Sequence, residues 1–166
     1  ADEVICGFGR TGNMWGSETF NINPDIITAA KALSSAYLPI STVLINEKVY
    51  KTIEKQANEL GIFGHGYTYS AHPVCAAVAL KTQNLIRERN IIQHVNKVTS
   101  TFSERIKKIK GKYEFIGNSR SVGLIGGLEF SYNSNTKFDA SKKIAANAVK
   151  YIQNEGVILR ALPGDI

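Results

Sequence analysis

The sequence predicts an α/β fold, and three observations carry that prediction. Short β-branched or apolar runs, at residues 26–30, 40–45 and 157–159, read as strands. Longer stretches between them repeat apolar residues at steps of three and four, the period of an amphipathic helix. Clusters of Gly, Asn and Pro at 8–24 and of Gly at 57–71 punctuate the two patterns. Strands alternating with helices argue for α/β, although the pattern does not give strand order.

Taken in order, residues 2–7 (Asp-Glu-Val-Ile-Cys-Gly) read as the end of a buried strand, and 8–24 as a loop closed by Pro24. Residues 26–30 and 40–45 are the next two strands. Asn46 fits an N-cap for a helix over about 47–57, with Val49 and Ile53 on one face. Pro73 suits the first turn of a long helix through Val74, Ala77 and Val78 toward Leu85. Ile92, Val95, Val98, Phe102, Ile106 and Ile109 define a second amphipathic helix, whose opposite face carries many of the lysines. Strand-like runs follow at 113–116 and 122–130. A helix capped by Asp139 and stopped by Gly156 then buries Ile144, Ala148 and Ile152, and a last strand, Val157–Leu159, ends at Arg160.

The bulk properties are those of an ordinary globular chain: 166 residues, 43% hydrophobic and 20% charged. No run of eighteen apolar residues is present, so no membrane span is expected. The start, Ala1-Asp2-Glu3, has neither a basic segment nor a cleavage pattern. Cys6 and Cys75 sit in apolar runs and read as buried reduced thiols, as in a cytoplasmic protein. The net charge of +6 reflects lysine-rich helix faces, with no interleaved aromatics of the kind that stack on bases, so no nucleic-acid partner is expected. The chain begins inside an apparent strand and stops abruptly after Leu162-Pro163-Gly164, and is expected to be an internal or C-terminal piece of a longer protein.

Gly7-Phe8-Gly9-Arg10-Thr11-Gly12 matches the G-x-G-x-x-G pattern of dinucleotide-binding loops. That use requires a helix opening at the third glycine. Here Asn13, Asn21, Asn23 and Pro24 follow, which is poor helix material, so a tight connecting loop is expected instead.

Lys31 is more informative. It ends an apolar run, Ile26-Ile27-Thr28-Ala29-Ala30, and precedes small and polar residues, which puts an amine at the mouth of a sheet. Upstream, Asp2 supplies a carboxylate at the edge of another apolar run. An amine and a carboxylate at the ends of two buried strands are what pyridoxal 5′-phosphate chemistry needs. The amine makes the Schiff base, and the carboxylate keeps the pyridine nitrogen protonated.

Three stretches, DEVICGFGRTG (2–12), PDIITAAKALSSAYLPIS (24–41) and HGYTYSAHPVCAAVAL (65–80), strongly resemble the class III aminotransferases, and within them the pyruvate-dependent ω-transaminases. The resemblance implies the type I fold of pyridoxal-phosphate-dependent transferases. Residues 1–90 would be the C-terminal part of the large cofactor-binding domain, and 91–166 a truncated small domain. It implies that Lys31 is the Schiff-base lysine, made nucleophilic by burial, and that Asp2 partners the pyridine nitrogen. Val4, on the side of Asp2 by strand alternation, would pack on the ring. Thr68 and the Tyr67 amide would hold the cofactor phosphate of a neighbouring subunit, which makes the protein a homodimer or higher oligomer with a composite site. Arg160 stands where similar enzymes carry a mobile arginine that clamps a substrate carboxylate. Tyr37 and Trp15 could line the substrate pocket. His65, His72 and His94 have no carboxylate or cysteine at ligand spacing, so no metal site is expected.

The implied reaction moves an amino group from an amine or an ω- or β-amino acid to a keto acid such as pyruvate. An aminomutase or decarboxylase on the same scaffold is the nearest alternative, and a non-catalytic nucleotide-binding module a more remote one. The family's upstream phosphate loop and ring-stacking aromatic are not found in this chain, so the chain alone is expected to be inactive.

Overall fold

The computed structural model describes residues 1–132 and 136–166. The chain divides into two compact units, Ala1–Lys97 and Val98–Ile166.

The first unit is framed by an antiparallel hairpin, β1 (Ile26–Ala29) and β2 (Thr42–Ile45), in register from Ile26–Ile45 to Ala29–Thr42. Asp2 joins it through a parallel bridge to Thr28. The Glu3 N–H donates to the Thr28 carbonyl at 2.8 Å, and the Thr28 N–H to the Ala1 carbonyl at 3.0 Å. The expected strand over 2–7 ends there. The Val4 N–H donates to Asp2 Oδ1 at 3.0 Å, and the Gly7 N–H returns to the Glu3 carbonyl at 2.9 Å. Residues 4–12 are turns, with Phe8, Gly9 and Gly12 at φ of 63°, 101° and 96°. An aspartate side chain bonding two residues ahead competes with the ladder and bends the chain away from it. Strand alternation therefore does not place Val4 beside Asp2. No helix opens at Gly12; a single helical turn, α1 (Gly16–Thr19), begins later.

Asn46 caps α2 (Glu47–Leu60), its side chain accepting from the Val49 N–H at 3.0 Å, and the helix ends at Gly61, φ 72°. Pro73 opens α3 (Pro73–Glu88). The fourth helix, α4 (Ile91–Lys112), begins in the first unit and continues into the second. Phe8, Ala29, Ala79 and Val95 are buried in the first unit, and the Phe8 and Trp15 rings lie 5.0 Å apart. The Asn96 amide ties α4 to the glycine loop, donating to the Gly12 carbonyl at 2.8 Å. Cys6, in a turn, and Cys75, on α3, are free but only half-buried.

In the second unit, β3 (Ile116–Val122) and β4 (Ile125–Phe130) form an antiparallel hairpin. Gly123, at φ 54°, makes the turn that splits the run expected over 122–130. Phe102 and Ile106 of α4 approach β4 at Gly126. Asp139 caps a 3₁₀ turn, Ala140–Lys142, instead of the helix proper. That helix, α5 (Ile144–Asn154), receives its carboxylate from the chain end: Asp165 Oδ1 accepts from the Ala145 N–H at 3.0 Å. The Asp165 carbonyl also accepts from the Phe130 N–H at 2.9 Å. Residues 157–162 form no strand, since among the described residues no neighbouring strand takes up their ladder positions. Among the described residues no helix is long and apolar enough to cross a membrane.

Candidate active site

Asp2 lies beside the strand whose end leads into the turn of Lys31. Asp2 is bridged to Thr28 in β1, and β1 runs directly into the 3₁₀ turn Lys31–Leu33. Lys31 itself stands at φ 45°, a left-handed conformation uncommon for a residue with a side chain. Ser35 and Ala36 are left-handed too, at 49° and 61°. The bend is closed by two N–H groups, of Ser34 and Ala36, that both donate to the Lys31 carbonyl at 3.2 Å. The Ser34 side chain, 1% exposed, donates from Oγ to the Leu38 carbonyl at 2.7 Å.

The expected burial of the two key groups is not observed: Asp2 and Lys31 are both exposed in this chain. The reason is geometric. Among the described residues β1 has one strand partner, β2, plus the single bridge to Asp2, and no other strand covers the end of the ladder.

The buried carboxylate is the next one along. Glu3 is 2% exposed, and its carboxylate accepts from the Gly16 N–H at 2.8 Å and the Ser17 N–H at 2.6 Å. Burial pushes its pKa up, but hydrogen bonds from the Ser17 backbone and side chain and the Gly16 backbone outweigh that, and the net shift is downward. Sequence reasoning misses Glu3. The available signal was an acidic residue inside an apolar run, followed by a Gly16-Ser17 helix start in need of an acceptor. Glu3 fixes the departure of the chain immediately after Asp2.

Tyr67 and Thr68 lie on an exposed loop over 61–71 that ends in a turn. The Tyr67 N–H, expected to meet a phosphate, donates here to Ser70 Oγ at 3.1 Å, so it would have to exchange partners. Thr68 is exposed. A cleft of about 2190 Å³ in the first unit, mostly apolar, is lined by Trp15, Leu38, Val43, Phe63, Tyr67 and others. Trp15 thus does face a cavity, whereas Tyr37 is 81% exposed and outside it, as are Asp2, Lys31 and Thr68. His65 packs edge-on against Phe63 and Tyr67.

In the second unit, Arg160 is exposed on the 157–161 segment. That segment is an arch, held at one side by the end of α5, where Gly156 stands at φ 84°, and at the other by the Leu162 N–H donating to the Ile166 carbonyl at 2.8 Å.

The profile of the family described as "Aminotransferase class-III" matches residues 1–164. The chain belongs to the class-III aminotransferases. A γ-aminobutyrate transaminase of Solanum lycopersicum, described as chloroplastic, is 45% identical over all of this chain, which covers 32% of that protein. An uncharacterized aminotransferase of Sinorhizobium fredii is 43% identical over all of this chain and 36% of its own length. Among solved structures, a transaminase from ancestral reconstruction is similar at TM-score 0.96 and 42% identity, over 99% of this chain and 37% of its own. The PMP-bound aminotransferase from Vibrio fluvialis is similar at TM-score 0.94 and 34% identity, over 99% of this chain and 36% of its own. This class-III aminotransferase chain therefore has part of the α/β fold of the pyridoxal-phosphate-dependent transaminases. It spans about a third of the length of the relatives it matches.

Proposed function

We propose that the protein is a pyridoxal-phosphate-dependent aminotransferase that moves an amino group from an amine or an ω- or β-amino acid to a keto acid such as pyruvate. The observation that carries this reading is the bridge of Asp2 to Thr28, which sets a carboxylate on the strand that leads into Lys31. The names of the plant relatives, γ-aminobutyrate transaminases, favour an ω-amino acid as donor.

The residues fit the cofactor. Lys31 is an accessible amine at a strand end, Asp2 an accessible carboxylate on the same ladder, and Thr68 an accessible hydroxyl on a glycine-containing loop. When bound, pyridoxal phosphate supplies a carbonyl that captures amines and a protonated ring that accepts electrons. Lys31 Nζ would hold the cofactor and would serve as the base that moves a proton at the substrate carbon. Asp2 holds the proton on the ring nitrogen by opposite charge. Thr68 Oγ1 and the Tyr67 N–H bind phosphate, Val4 flanks the ring, and Arg160 offers a bidentate clamp to a substrate carboxylate. We assign residues 1–90 to the large domain and 91–166 to the small domain. Thr68 serves the site of a second subunit, so the active form is a homodimer or larger, and its compartment is the cytoplasm.

The test is reductive trapping. The complete protein is incubated with pyridoxal phosphate and reduced with borohydride, and its labelled lysines are mapped by mass spectrometry. Near-exclusive labelling of Lys31 is expected; labels scattered over the surface lysines would reject the assignment.

A further inference from the structure

Lys31 is held in a left-handed conformation inside a bend with two further left-handed residues. Such a bend persists only where its surroundings over-determine it. Its own backbone supplies the bonds to the Lys31 carbonyl, and Ser34 supplies one to Leu38. A further bond comes from outside the bend. Gln83, on α3 and far away in sequence, donates from Nε2 to the Leu33 carbonyl at 3.0 Å, in a partly buried position. Leu33 is the last residue of the 3₁₀ turn that starts at Lys31.

The other half of the same amide sharpens the point. Gln83 Oε1 is buried and has no hydrogen-bond partner among the described residues. A buried acceptor left unpaired is costly, and an apolar residue of the same length would avoid that cost. Packing alone therefore does not account for glutamine here. The Nε2 donor does, because the Leu33 carbonyl accepts from it and an oxygen in that place would face a second acceptor.

We propose that Gln83 is a positioning residue for Lys31: from α3 it anchors the Leu33 carbonyl and so holds the turn that presents the lysine amine. The inference rests on the assignment of Lys31 as the cofactor lysine, but its first test needs no cofactor.

The test compares the complete wild-type protein with Gln83→Met, which keeps length and loses the donor. Amide hydrogen exchange is read at Ser34 and Ala36, whose N–H groups close the bend on Lys31. Exchange there is expected to speed up about five- to tenfold, the effect of losing one hydrogen bond. Exchange within α3 and the thermal midpoint should hardly move, because Met removes the unpaired acceptor together with the donor. In the same variant, borohydride-trapped labelling of Lys31 by pyridoxal phosphate should slow by a similar factor. Gln83→Glu, which at neutral pH also lacks the donor but keeps a polar head, should show the same acceleration at Ser34 and Ala36. Unchanged exchange at those two amides in a folded variant would overturn the proposal, and so would failure of both variants to fold, which would make Gln83 a folding residue. If exchange speeds up but wild-type Lys31 is not trapped at all, the positioning stands and the cofactor assignment fails.

Discussion

Asp2 pairs across a parallel bridge with Thr28 of β1, three positions before Lys31, which opens the 3₁₀ turn after that strand. A carboxylate remote in sequence thus stands beside the strand that leads to the amine. If Asp2 keeps the ring nitrogen protonated, Asp2→Asn preserves shape and removes only the charge. Turnover by the complete enzyme should then fall on the order of 10²–10³-fold, the scale of losing one preorganised electrostatic partner. Labelling of Lys31 by cofactor should persist. Steady-state rates together with trapping on the same preparation check this, and an Asn variant with wild-type turnover would remove Asp2 from the site.

Glu3 carries the neighbouring prediction. Its carboxylate is buried and accepts two backbone N–H bonds, from Gly16 and Ser17. Glu3→Gln replaces one acceptor oxygen by an NH₂ group that meets an N–H, and should destabilise by about 1–3 kcal/mol at neutral pH. The folded pKa is lowered, so this contribution is fully present above the unfolded carboxyl value of about 4.3 and is lost as pH falls through the folded value below it. Asp139, whose pKa the Ser141 hydrogen bonds lower, keeps its own acid dependence in both proteins. Denaturant titrations from neutral pH into acid should show the gap between wild type and Glu3→Gln narrowing below that point. A gap that stays constant would mean that the carboxylate charge is not what Glu3 contributes.

Arg160 rides on an exposed arch closed by Gly156 on one side and the Leu162–Ile166 hydrogen bond on the other. If Arg160 clamps a substrate carboxylate, its side chain is free to solvent to do so. Arg160→Leu should raise KM for keto acids by about tenfold or more, since hydrogen bonds between charged groups contribute about 1.5–3 kcal/mol. KM for an uncharged amine donor should stay within about twofold. Equal losses for both substrates would assign Arg160 to structure instead of recognition.

Much of the frame was legible because its signals are local. Asn46 before α2 and Pro73 at the start of α3 act through backbone groups within one turn, so residue type alone sufficed. Lys31 and Asp2 stood out through the chemistry that they jointly permit and through the motifs around them. What misled were features that depend on neighbours. Val157–Leu159 has strand composition but no strand beside it, and Val4 loses its alternation because Asp2 captures its N–H. The exposure of Lys31 follows from how few strands flank β1, which no local pattern encodes. Glu3 was passed over for a related reason: an acidic residue in an apolar run was visible, but its partners come from a helical turn more than ten residues away.

Adjacent glycines on β4 allow a sharp test of packing in the second unit. A Cβ on Gly126 would lie 2.8 Å from Phe102 Cζ, closer than real Cβ contacts come, and 3.2 Å from Ile106 Cδ1, tighter than most. Among the described residues, a Cβ on Gly127 would meet Ile166 Cγ2 at an ordinary 3.8 Å. Phe102 and Ile106 are half-buried on α4 and cannot both retreat without opening space elsewhere. Gly126→Ala should therefore destabilise by about 1–3 kcal/mol, the usual cost of overpacking. Gly127→Ala should be neutral or slightly stabilising, because alanine restricts the unfolded chain and adds a contact. Chemical denaturation of the two variants side by side decides it. Equal effects at both positions would mean that the α4–β4 contact yields more readily than its geometry implies, and a loss confined to Gly126→Ala would assign the spacing between helix and hairpin to Phe102 and Ile106 together.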